Sequence, residues 1–273
     1  MESTITHTQN QTQAKSQTRP LQPLGWLASL LLFGLPAAGM ALAVYGIRPW
    51  FESLGYSPLT SYLGALTIPL ALLFAAALVG FHRVEGYPLT RQAFSERMRF
   101  PRLRGRDLLA ALLVFALGMA GYYLLSQLSL VLINNGLILL PQDLPLLADP
   151  QAVFDAGALD RAAGGQIQGQ WELVLLFAVT FFFNIAGEEL WWRGYILPRQ
   201  ELAFGRQAWL LNGLLWAAFH AFKWWDVLAL IPICLLIAYS AQKLQSNWAA
   251  VIAHTLFNLS GFVVILASVA GWL

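Results

Sequence analysis

The sequence predicts an all-α integral membrane protein, a bundle of about seven to eight transmembrane helices around an intramembrane cavity. Three observations carry that reading. Of 273 residues, 58% are hydrophobic and only 11% are charged, a balance outside the range of soluble domains. Several apolar runs approach the roughly 20 residues that a helix needs to cross a hydrocarbon core of about 30 Å. In the last third of the chain, ionisable residues recur inside such runs, where lipid as solvent makes each of them costly.

Residues 1–22 are rich in Thr and Gln and have no hydrophobic face, which predicts a disordered cytoplasmic tail. A transmembrane domain then occupies 23–273. Its first apolar run is too long for a cleavable signal peptide and is expected to stay in the bilayer. Runs at 24–47, 59–81, 108–133, 171–190, 207–222, 227–242 and 248–273 give about seven spans, with an eighth if 137–147 or 191–204 also enters the membrane. Pro36, Pro69 and Pro232 fall inside runs and should kink them.

The net charge of +2 is too small to indicate nucleic acid or an acidic partner. Distribution says more. Arg83, Arg91, Arg97, Arg99, Arg102, Arg104 and Arg106 crowd one connection, which the positive-inside rule makes cytoplasmic; attraction to anionic lipid headgroups would reinforce that placement. The connection over 134–170 carries Asp143, Asp149, Asp155 and Asp160 against Arg161 alone and is expected outside. Alternation then puts the C-terminus outside, most simply across the cell membrane. Trp191, Trp192, Trp224 and Trp225 fit an interfacial aromatic belt better than a substrate groove. The single cysteine, Cys234, excludes a disulfide framework and reads as a small buried hydrophobe.

The polar groups inside the apolar runs are Glu188, Glu189, Arg193, His220, His254 and Asn258. Counted at 1.5 Å per residue from the expected membrane surface, Glu188, His220, His254 and Asn258 lie about 15, 20, 10 and 16 Å deep, so three helices can bring them to one level. Glu189 and Arg193 are four residues apart and share a face, which suggests a bracing ion pair. Glu188 points about 100° away and is expected to be free to face the histidines. The chemistry suits hydrolysis by activated water: a carboxylate with a histidine as general base, and a histidine and an amide to hold the oxyanion. Glu188, His220 and His254 could alternatively form a zinc ligand set with an open position, but no H-E-x-x-H helix supports it, and a cofactor-free site is the preferred expectation.

At these residues the sequence resembles the intramembrane CAAX prenyl protease and bacteriocin-processing family (CPBP, also called Abi), of the type II CAAX endopeptidase class. The E-E-x-x-x-R motif is matched by Glu188, Glu189 and Arg193, and H-x-x-x-N by His254 and Asn258. F-x-x-x-H is matched at His220, with Trp216 in place of Phe, a change expected to narrow the pocket and matter little for chemistry. The resemblance covers a core at about 171–262. It implies an endopeptidase whose active site opens to the cytoplasm, with Glu188 and His220 activating water and His254 and Asn258 stabilising the tetrahedral intermediate. It implies a membrane-anchored or hydrophobic peptide or protein as substrate, membrane lipids as surroundings, and no nucleic acid. It does not fix the substrate, since members range from prenyl-protein processing to bacteriocin immunity. A non-catalytic membrane scaffold would keep the fold without needing Glu188. A secondary transporter would also bury charge at the midplane, but usually with two matching halves, and none is visible here.

Overall fold

The computed structural model describes residues 19–152 and 155–273; most of the expected tail, 1–18, lies outside them. Residues 19–25 form no helix, yet they are tied down, with the Arg19 N–H donating to the Glu85 carbonyl at 2.9 Å and the Leu24 N–H to the Arg199 carbonyl at 3.0 Å. Every regular element among the described residues is helical.

Helix α1 (Trp26–Leu42) passes through a π-helical turn into α2 (Arg48–Ser53). Helix α3 (Pro58–Val79) starts where the Ser57 side chain accepts from the Thr60 N–H, satisfying one of the donors that a helix start leaves without a partner. A short α4 (Arg91–Arg97), capped by Thr90, precedes the long α5 (Gly105–Asn134). The acidic connection contributes α6 (Ala156–Ala163), capped by Asp155 and closed by Gly164 at φ 78°. Then come α7 (Trp171–Glu188), a π-helical stretch Glu189–Ile196, α8 (Leu197–Phe204), α9 (Ala208–Phe219), α10 (Val227–Leu244) and α11 (Trp248–Ala270).

Among the described residues six helical segments are long and apolar enough to cross a membrane: Trp26–Ser53, Pro58–Val84, Gly105–Asn134, Trp171–Lys223, Val227–Leu244 and Trp248–Ala270. The runs expected at 171–190 and 207–222 belong to one continuous helical stretch of 53 residues, so a single segment holds two of the expected runs. Gly205, at φ 57°, turns the chain back, and α9 has only 12 residues, about 18 Å of helix. It runs antiparallel to the π-helical stretch, with Asn212 reaching Trp192 and Gln200, and Trp216 reaching Glu188. Neither candidate for an eighth span is one. Residues 191–200 are buried in protein, and 137–147 holds little regular structure.

Helix α3 packs along α7, α10 along α5 and α9, and α11 against α5, α7 and α10. Without a hydrophobic drive between helices in lipid, close approach at small residues holds such bundles together. A Cβ on Gly187 would sit 2.6 Å from the Leu70 carbonyl oxygen, and one on Gly213 would sit 2.9 Å from the Cys234 carbonyl oxygen. Leucines on the outer face of α5, such as Leu109, Leu113 and Leu117, stay exposed, as a lipid-facing surface requires. The tryptophans depart from the expected belt. Trp191, Trp192 and Trp225 are buried, Trp192 stacking on Phe33 at 4.1 Å, and of the four only Trp224 is exposed. Pro36, Pro69 and Pro232 lie within α1, α3 and α10, and Cys234 is buried.

Contacts sort the connections into two ends. At one, Arg97 donates to the Gly194 carbonyl (2.8 Å), Arg99 pairs with Glu201 (2.7 Å) and Asn247 donates to the Met98 carbonyl (2.7 Å). At the other, Arg48 donates to the Asp143 carbonyl (3.0 Å), and the Trp224 and Trp225 indoles donate to the carbonyls of Leu139 (2.9 Å) and Ala148 (3.0 Å). The arginine-rich and acidic connections therefore lie at opposite ends.

Candidate active site

The switch from α to π geometry at Glu189 sits where the chain changes from spanning segment to buried bundle. Such turns cluster at functional sites. Glu188 and Glu189 face different neighbours. One Glu188 oxygen accepts from the Asn184 amide at 2.8 Å and the other from the Trp216 indole N–H at 2.5 Å. One Glu189 oxygen takes both the His254 Nδ1, at 2.8 Å, and the Arg193 guanidinium, at 3.3 Å. The expected division therefore needs correction: Glu188 is not free, and the carboxylate that touches a histidine is Glu189. All of Glu188, Glu189, Arg193 and His254 are buried.

Trp216, expected to do little, is the hub. Its indole donates to Glu188, its ring carries the Arg193 guanidinium 3.7 Å from the centroid, and His254 meets it edge-on at 5.1 Å. Its carbonyl lies 2.9 Å from His220 Nδ1. A carbonyl can only accept, so Nδ1 of His220 carries a proton and, in the neutral ring, Nε2 has the free lone pair. By the same logic an ionised Glu189 fixes the Nδ1–H of His254 and leaves Nε2 as its working atom. Asn258 donates to the His254 carbonyl at 3.2 Å.

Glu188, His220, His254 and Asn258 line one internal cavity of about 360 Å³. Glu189 and Arg193 stand behind it, and Glu189 borders a second, larger groove. At the far end of the cavity Lys223 pairs with Asp226 at 2.8 Å, and the Tyr122 hydroxyl donates to the other Asp226 oxygen at 3.0 Å. Burial alone would raise the Asp226 carboxyl, but the Lys223 ammonium and these hydrogen bonds hold it below the usual carboxylate range. Sequence reasoning missed Asn184, whose signal was its place one helical turn before Glu188, and it did not foresee the indole donor by which Trp216 differs from Phe.

Glu188, His220 and His254, the residues of the zinc alternative, all line the internal cavity. As placed, they do not come together as a group of three that could hold a metal ion, and each Glu188 oxygen accepts one hydrogen bond from a neighbouring donor.

The W216F variant tests the hub. A hydrogen bond to a charged group contributes about 1.5–3 kcal/mol, so losing the indole donor is expected to lower turnover roughly 10- to 100-fold, although it restores the more common aromatic residue of the motif. A loss smaller than threefold in a kinetic assay would return Trp216 to a space-filling role.

No curated protein and no solved structure matches the chain. A family model does, and at family level it supports a protease of the CAAX kind embedded in the membrane. The model is that of the Type II CAAX prenyl endopeptidase Rce1-like family, and the stretch it matches, residues 170–260, carries every one of the six polar residues that converge here.

Proposed function

We propose that this protein is an intramembrane endopeptidase that hydrolyses a peptide bond of a membrane-anchored or hydrophobic substrate, with Glu188 and His220 activating water and no metal taking part. The observation that carries this reading is the convergence of Glu188, His220, His254 and Asn258, from three helical segments, on one internal cavity. Each carboxylate oxygen has two lone pairs, so Glu188 can hold a water while Asn184 and Trp216 fix its orientation. The water proton passes to Glu188, or to the free Nε2 of His220, as the oxygen attacks the carbonyl carbon. The developing oxyanion is met by the Asn258 amide and by His254, whose ring Glu189 orients. Collapse of the intermediate breaks the C–N bond, and the stored proton goes to the departing amine.

The 2.8 Å bond between Glu189 and His254 also favours a second division of labour, with His254 as the base and Glu189 as its orienting carboxylate. The rate of E188Q separates the two, because cleavage survives it only if His254 is the base. We place the arginine-rich end, and with it the N-terminal segment, in the cytoplasm of a cell-membrane protein, on the charge asymmetry of the connections.

The test is mass spectrometry of the membrane peptidome with the wild-type protein and with E188Q, in the presence and absence of a chelator. Peptides that depend on Glu188 and persist with chelator support the reading. Chelator-sensitive cleavage would return the chemistry to a metal, and identical peptidomes would leave a membrane scaffold.

A further inference from the structure

The larger groove has a different character from the internal cavity. It encloses about 1200 Å³, beyond the ~300–1,000 Å³ typical of pockets for compact ligands. Its walls are Phe181, Phe182 and Ile185 of α7, Val251 of α11, and Phe94 and Phe100 on the arginine-rich connection. From Trp248 at the end of the bundle to Thr255, both on its lining, it descends about 10 Å along α11, which suits a chain lying along the helices.

Two arginines, Arg91 and Arg102, stand on its lining and are exposed. Other arginines of the same connection are committed: Arg97 to Glu85 at 2.6 Å and Arg99 to Glu201 at 2.7 Å. Arg91 and Arg102 have no ion-pair partner among the described residues. An apolar trough with uncompensated cations at one end is complementary to an amphiphile with an anionic head. Glu188, His220, His254 and Asn258 do not line it, so a chain lying there is not presented to the groups that would activate water.

We infer that this groove is a binding site for an anionic phospholipid, with its acyl chains against Phe181, Phe182, Ile185 and Val251 and its phosphate between Arg91 and Arg102. The site stands independently of the peptidase reading, since retention of lipid needs no catalysis. It also touches the site through Glu189, which forms part of the groove lining while holding His254.

The experiment is native mass spectrometry of the full-length protein in detergent, titrated with phosphatidylglycerol, with phosphatidylcholine of the same chains, and with inorganic phosphate. Each arginine near a headgroup contributes a factor of about five in affinity, so phosphatidylglycerol is expected to be retained on the order of 20-fold more tightly than phosphatidylcholine. R91A/R102A should bring the two within about twofold, and R83A/R106A, equally basic positions off the groove, should leave the preference unchanged. Phosphate alone should not bind. Equal retention of both lipids by the wild-type protein, or a preference that survives R91A/R102A, overturns the assignment. Loss of the preference in R83A/R106A to the same degree would also overturn it, leaving only diffuse attraction by the arginine-rich connection.

Discussion

E188Q is expected to lower the rate of peptide cleavage by two to four orders of magnitude, the range that a positioned general acid–base contributes. The amide keeps the shape of the carboxylate and can still accept a hydrogen bond from Trp216 or Asn184, but it cannot take a proton from water. The loss should fall on kcat with KM little changed, because Glu188 acts on the attacking water and does not hold the substrate's anchor. Folding is expected to survive. Glu188 is 1% exposed, and exchanging a buried charge for a neutral isostere removes a desolvation cost. A thermal midpoint at or above that of the wild type, together with lost cleavage, separates chemistry from collapse. Cleavage within threefold of the wild type would remove Glu188 from the mechanism and favour His254 with Glu189 as the base.

What could be read from residues alone followed from cost. A charged or polar side chain in an apolar run is expensive enough to announce itself, and on that ground Glu188, Glu189, Arg193, His220, His254 and Asn258 were all identifiable. The i,i+4 spacing correctly paired Glu189 with Arg193, at 3.3 Å. The spacing could not say which carboxylate meets which histidine, because that depends on how α7 is rotated against α9 and α11, and on the widening to π geometry that begins at Glu189. Trp216 shows the same limit. Hydropathy counts it as one more apolar residue, whereas its effect comes from an indole N–H aimed across a helix interface.

The membrane spans divide along similar lines. Length and apolarity located the long helices, including the run at 207–222, where the short α9 joins the arginine-rich end, at which Glu201 meets Arg99, to the end at which Trp224 meets Leu139. The tryptophan belt failed because a buried segment and a lipid-facing one can have the same composition. Trp191 and Trp192 are adjacent to charged residues, as belt residues often are, but the chain there turns inward against α1, and Phe33 rather than headgroups meets Trp192.

R193M is expected to be the most destabilising single change at the site. Glu189, Arg193 and His254 are buried together, with side-chain exposures of 0%, 0% and 5%, and removing one partner of such a set leaves an uncompensated charge that costs about 3–5 kcal/mol. Glu189 is ill placed to absorb the loss, because its second oxygen has no hydrogen-bond partner among the described residues. R193K keeps the charge but not the planar face that lies over Trp216, so an intermediate loss is expected. In E189Q/R193M both charges are gone, and a double-mutant cycle on unfolding in detergent should show recovery of part of the single-variant loss. Activity gives a second measure. Arg193 acts through Glu189 on His254, so at a temperature where both variants remain folded R193M should still lower kcat, with partial rescue by R193K. If R193M unfolds within 1 kcal/mol of the wild type and keeps its kcat, the three residues are not coupled, and the orientation of His254 must come from its packing against Trp216.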